Sequence, residues 1–222
     1  MSYQLGFMSP TPNVTRFLIL IIGIYLLFAI FGNTFFGAYL YSKMVLDPYR
    51  TVFSYEIWRA VTYAFLHDAS SPMHVIFNAL LLYMIGPQLE DRWGEKRFLI
   101  FSFTAIILGA LMVIAAFLLG IGGGIVVGFS AVTVGLLVAW GLAYPDQQIY
   151  LLGILPLSGK AMVYITVGLE ILYAFSNTST SSAAHFGGIL TAFIFSFGLY
   201  KPQRIRQMWR QAKMKQNLRR IK

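Results

Sequence analysis

GIGGGIVVGFSAVTVGLLVAWGL, residues 120–142, changes character at its middle. The first half is rich in glycine. The second half, from Ser130 onward, is an apolar run with the pattern of a helix. Gly128-Phe129-Ser130-Ala131 lies at the change. A serine here stands in the first turn of a helix that starts inside a membrane. Backbone N–H groups in that turn have no intrahelical partner, and the helix dipole favours negative charge beside them. A serine nucleophile and an oxyanion need that environment. The candidate partner is His185, in the middle of another apolar segment.

Composition sets the class. The 222 residues are 58% hydrophobic and only 11% charged, where a soluble domain carries roughly a quarter. Mean hydropathy is +0.69. The long apolar runs read as an all-α polytopic membrane protein. With no cysteine, disulfides, thiolate nucleophiles and thiolate metal sites are excluded. The first residues lack the basic leader and cleavage site of a signal peptide, so the first apolar run is expected to be a retained span. The net charge of +9 does not point to nucleic acid. Nine of the 17 basic residues follow Tyr200, as in a cytoplasmic anchor on anionic lipid.

Working outward, residues 1–13 form a polar lead, residues 14–200 the membrane domain and residues 201–222 a basic tail. The spans are expected at Phe17–Phe31, Met73–Ile85, Phe98–Leu119, Ser130–Tyr144, Ala161–Phe175 and Ala183–Leu199. Asn33–Pro72 is a long, aromatic-rich connection suited to the membrane interface. Glu90–Arg97 reads as a charged turn, and Ser176–Ser182 as a polar one. With the N-terminus inside, the inner segments hold 14 basic residues and the outer segments only Lys43, Arg50 and Arg59. The positive-inside rule therefore puts both termini in the cytoplasm. Ser130 and His185 then lie at comparable depth near the outer face. Irregular glycine-rich backbone at that depth is tolerated where it lines a water-filled cavity. In the tail, Ile205, Trp209, Ala212, Leu218 and Ile221 recur at near-helical spacing. They fit an amphipathic helix on the inner leaflet or a disordered basic tail.

Polar groups inside a membrane are expensive and usually functional. Here they include His74, Asn78, Ser130, Glu170 and His185. His185 can take a proton from Ser130 and return it to a leaving amine. His74 and Asn78, four apart, share one helix face and with the Ser130 N–H can donate to a developing oxyanion. Each has a plainer reading. A lone serine in a span usually bonds its own backbone, and a lone histidine can join two helices. Glu170 has no evident partner and reads as a structural or pore-facing polar group with no assigned role. No third ligand with suitable spacing supports a metal, and no buried aspartate completes a triad. A Ser–His dyad is the most these residues support.

Taken together, the motifs resemble the rhomboid intramembrane serine proteases. Trp58-Arg59 matches the family's pair in the first outer loop. His74-x-x-x-Asn78 matches the second span, with Gly86, Glu90, Arg92 and Gly94 following in register. Gly128-x-Ser130 matches the serine motif, and Ala184-His185-x-x-Gly188 the histidine motif of the sixth span. The resemblance implies a six-transmembrane-helix rhomboid-like bundle with a membrane-embedded first outer loop. It implies a serine endopeptidase that needs no cofactor and cleaves transmembrane segments of single-span or multi-span membrane proteins. Ser130 would be nucleophile, His185 base and acid, and His74 and Asn78 the oxyanion hole. Trp58 and Arg59 would hold the loop in the outer leaflet. Glu90 would bond polar groups of that loop or of neighbouring helices. The location implied is a bacterial or archaeal plasma membrane.

Three positions depart from the pattern. Ala131 and Ala192 stand where glycine is usual, each adding a methyl at a close helix contact, and Val134 stands where relatives often carry an aromatic ring. The alternative function is a catalytically silent relative that binds membrane clients, but such a relative would be expected to lose the serine or the histidine. A transporter would call for matching broken helices in two halves, and only one glycine-rich break is present.

Overall fold

The computed structural model describes residues 9–151, 155–175, 179–200, 203, 209–211 and 214. It is mainly helical, with α1 (Pro12–Phe31), α2 (Phe35–Met44), α3 (Pro48–Phe53), α4 (Arg59–Thr62), α5 (Pro72–Trp93), α6 (Glu95–Leu118), α7 (Ser130–Ala143), α8 (Gly159–Ala174) and α9 (Ser179–Ser196). Three of these, α1, α5 and α6, are long and apolar enough to cross a membrane. Ser130–Ala143 and Ser181–Ser196 are shorter apolar helices. The core lies where α9 packs along both α6 and α7. Trp140, Phe98, Phe101, Phe129 and Ala192 are fully buried there.

The aromatic connection after α1 is more ordered than an interfacial strap. Thr34 caps α2 by accepting from the Gly37 N–H, and Asp47, followed by Pro48, caps α3 by accepting from the Arg50 N–H; these residue types stop and start helices for that reason. The carbonyls at the C-terminal end of α2, which lack intrahelical donors, are taken up by side chains from α4 and its edge. Arg59 donates to Ser42 and Val45, the Trp58 indole to Lys43 at 2.9 Å, and Thr62 to Met44 at 2.6 Å. Arg59 is completely buried and also pairs with Glu56. Hydrogen bonds from Lys43 and Arg59 hold the Glu56 carboxyl below the usual carboxylate range. Tyr63, at the end of this segment, is buried and donates to the Ile106 carbonyl of α6 at 2.9 Å.

The expected charged turn at Glu90–Arg97 is much narrower. Helix α5 runs on to Trp93, with Pro87 inside it, and Gly94 alone breaks the chain before α6. The helix continues because Glu90 faces inward. It accepts from the backbone N–H groups of Asn13 and Val14 at 3.1 Å, from the Asn13 side chain at 2.7 Å and from the Thr11 hydroxyl. A carboxylate at the N-terminus of α1 satisfies orphan donors and complements the helix dipole. Of the alternatives for Glu90, neighbouring-helix contact is the one observed.

Between α7 and α8 an antiparallel hairpin, β1 (Gln148–Leu151) and β2 (Leu155–Ser158), pairs Gln148 with Ser158. The apolar pattern had left that stretch unassigned. The polar turn expected at Ser176–Ser182 is helical from Ser179, while 176–178 lie outside the described residues. Most of the tail also lies outside them; Gln203, Trp209, Arg210, Gln211 and Met214 are helical and exposed.

Candidate active site

Phe129 is the N-cap of α7, so Ser130 is its first residue. The N–H groups of Val132 and Thr133 return to the Phe129 carbonyl at 3.0 and 3.1 Å. Ser130 and Ala131 precede the intrahelical ladder, which leaves their N–H groups for a ligand. Phe129 is wedged between Phe17 and Phe65, ring centroids 5.0 and 6.0 Å away, which fixes where α7 begins.

His185 of α9 meets Ser130 across the α7–α9 contact. Its Nε2 lies 2.8 Å from the Ser130 Oγ. Its Nδ1 lies 2.9 Å from Oε1 of Glu170 on α8. The imidazole is thus held between two neighbouring helices, half-buried, while Glu170 is buried. The close approach of α7 and α9 depends on Gly188: a Cβ there would collide with the Ala131 carbonyl. Ala131 itself is buried, its methyl accommodated beside Gly109 of α6.

His74 and Asn78 of α5 pack against the residues that flank Ser130, Gly128 and Thr133. The His74 ring packs directly over Gly128, where an added Cβ would come within 2.6 Å of Cε1 and 2.8 Å of Nε2. Gly128 also has φ +121°, in the region that favours glycine. The Asn78 amide is buried and engaged. Its Nδ2 donates to the His74 carbonyl at 2.9 Å and lies 3.2 Å from His67 Nε2, and its Oδ1 accepts from the Thr133 hydroxyl at 2.7 Å.

Residues 54–202 match the family model described as the Rhomboid domain. The chain belongs to the rhomboid family. Over 96 residues it is 30% identical to the rhomboid protease GlpG of Yersinia pestis (strain Pestoides F), covering 43% of this chain and 32% of that protein. Over 65 residues it is 37% identical to rhomboid-like protease 3 of Toxoplasma gondii, covering 29% of this chain and 24% of that protein. The chain therefore matches about a third or less of the length of these curated relatives.

The rhomboid domain contains all the site residues just described. Ser130 meets His185, His74 packs over Gly128 two residues before Ser130, and Asn78 binds the His74 carbonyl and the Thr133 hydroxyl. Trp58 and Arg59 sit apart from them in the first loop. The sequence reading was incomplete at two residues. Glu170 was named there without a partner. His67 was passed over, although it is one of only three histidines. It is buried, with the Phe129 N–H 3.5 Å from its Nε2 and its ring 5.1 Å from that of His74. Burial, and next the charge of His74, push His67 down to about 4, so it is neutral at physiological pH. Among the described residues no cluster of three or more histidines and acids could hold a metal.

Proposed function

We propose that this chain is an intramembrane serine endopeptidase that cleaves transmembrane segments of other membrane proteins through Ser130 and His185. The observation that carries the reading is the 2.8 Å contact between His185 Nε2 and Ser130 Oγ, formed at a helix N-terminus. Family membership and the protease names of the two relatives support it.

In this reading Ser130 attacks the scissile carbonyl while His185 Nε2 accepts its proton. The oxyanion faces the Ser130 N–H and His74. Asn78 fixes His74 through its carbonyl, and joins the oxyanion by exchanging its His67 contact. His185 then protonates the leaving amine, and water, deprotonated by the same base, releases the acyl group.

We read the bundle as six spans, α1, α5, α6, α7, α8 and α9, with both termini cytoplasmic. The mouth of the site then opens toward the outer face, the orientation that the distribution of basic residues favours. A 14-residue α7 spans only ~21 Å at 1.5 Å per residue, so its serine end lies below the membrane surface. Water reaches it through the irregular segment between α6 and α7.

The test is cleavage of a single-span substrate in proteoliposomes by wild type, Ser130→Ala and His185→Ala. Loss in both variants, with folding intact, supports the dyad. An inert wild type whose Ser130 resists a fluorophosphonate would favour the client-binding relative instead.

A further inference from the structure

The two buried glutamates of the described structure are held in opposite ways. Glu90 has both oxygens engaged, by four donors from α1 and its cap. Among the described residues Glu170 has one hydrogen-bond partner, His185 Nδ1 at 2.9 Å, and its buried Oε2 has none. A carboxylate that serves packing in an apolar setting needs all its lone pairs satisfied. Glu170 lacks that, so its placement has no structural return comparable with that of Glu90. What it touches is the candidate base.

Resting on the protease reading above, we propose that Glu170 is the positioning residue of a Ser130–His185–Glu170 triad. The Nδ1–H of His185 donates to Oε1, which leaves Nε2 bare and facing Ser130. The opposite tautomer would put a proton on Nε2 and disable it as a base. When Ser130 attacks, the Oγ–C bond forms and the carbonyl electron pair becomes the oxyanion. The hydroxyl proton moves to Nε2. The resulting imidazolium lies against the Glu170 carboxylate, which takes no proton itself. That proton then goes to the amine nitrogen as the C–N bond breaks, and Glu170 ends as it began.

His185 is therefore positioned from a third helix. Ser130 comes from α7, the imidazole from α9 and the carboxylate from α8. The exposed side chains of α8 include Leu169, Ile171 and Leu172, while Glu170 is buried against His185.

Two variants separate charge from hydrogen bond. Glu170→Gln keeps an acceptor near Nδ1 without charge, and Glu170→Ala removes both. Each should lower kcat by roughly 10- to 1,000-fold with KM within about twofold. The thermal midpoint should not fall, since an incompletely paired buried acid is removed. Imidazole nitrogen NMR of histidine-labelled protein supplies a signature that a packing role would not move. Wild-type His185 should carry its proton on Nδ1, and Glu170→Ala should show mixed tautomers. An active wild type, dead Ser130→Ala and His185→Ala, and a Glu170→Gln within twofold of wild type would overturn the triad alone. A wild-type His185 protonated on Nε2 would do the same. An inert wild type with an unlabelled Ser130 would overturn the protease reading, and the triad with it.

Discussion

Replacing Gly128 with alanine tests the proposed oxyanion side of the site through one methyl group. Two costs add. At φ +121° a side-chain-bearing residue pays about 1–3 kcal/mol of backbone strain. The new carbon would also lie 2.6 Å from Cε1 and 2.8 Å from Nε2 of His74. To restore ordinary contact the ring must retreat by roughly 1 Å. Its freedom to do so is limited, because the His67 ring stands 5.1 Å away and the His74 carbonyl is held by Asn78. A misplacement of about 1 Å at a reacting centre costs on the order of a hundredfold in rate. We therefore expect kcat to fall by about 100-fold in proteoliposome cleavage, and unfolding to become easier by about 1–3 kcal/mol. Fluorophosphonate labelling of Ser130 should slow as well. Gly123→Ala is the control, since its added carbon would meet only the Phe117 ring, at 3.4 Å. Full cleavage by Gly128→Ala at unchanged stability would refute the placement of His74 as an oxyanion donor.

Three further outcomes are expected. Glu90→Gln turns an NH2 toward N–H donors and removes the charge at the α1 terminus; it should destabilise by about 2–4 kcal/mol in detergent unfolding, with cleavage largely preserved at low temperature. Ala131→Gly should bring no gain in rate, because the methyl already has room beside Gly109; a glycine in the first turn should cost up to ~1 kcal/mol, and a severalfold faster enzyme would contradict this packing. Glu56, whose carboxyl is held below its ordinary value, stabilises the first loop fully above the ordinary glutamate pKa of about 4.3. That contribution disappears as pH falls through the depressed value, so limited proteolysis of the loop should accelerate only in acid, and Glu56→Gln should make it fast at every pH.

How legible the site was in the sequence depended on where each residue's partner came from. Ser130, His185, His74 and Asn78 stood out because polar groups are scarce in apolar runs, and each had a local spacing to support it. Glu170 stood out for the same reason but had nothing nearby to bond. Its partner is 15 residues further on, in the next helix, and only the packing of α8 on α9 joins them. His67 was invisible to that argument because it lies in a loop, where a histidine needs no explanation. Its burial is a tertiary fact, made by Phe129 and Asn78 closing over it. The helices of the first loop were more accessible, since Thr34 and Asp47-Pro48 are cap signals, but the aromatic composition drew attention to the membrane interface instead.

The same distinction adds to what Trp58 and Arg59 do. The motif implies anchors that hold a loop in the outer leaflet, which would place their main contacts in lipid. Their polar groups point inward, to the carbonyls of Ser42, Lys43 and Val45, while part of the Trp58 ring remains exposed. A helix end packed away from water cannot leave its carbonyls without donors. The pair is therefore the C-terminal cap of α2, supplied from seventeen and fewer residues away. A lipid anchor would tolerate any aromatic or basic substitute. A cap made of two guanidinium bonds and one indole bond would not, because lysine lacks the planar fork and phenylalanine lacks the donor.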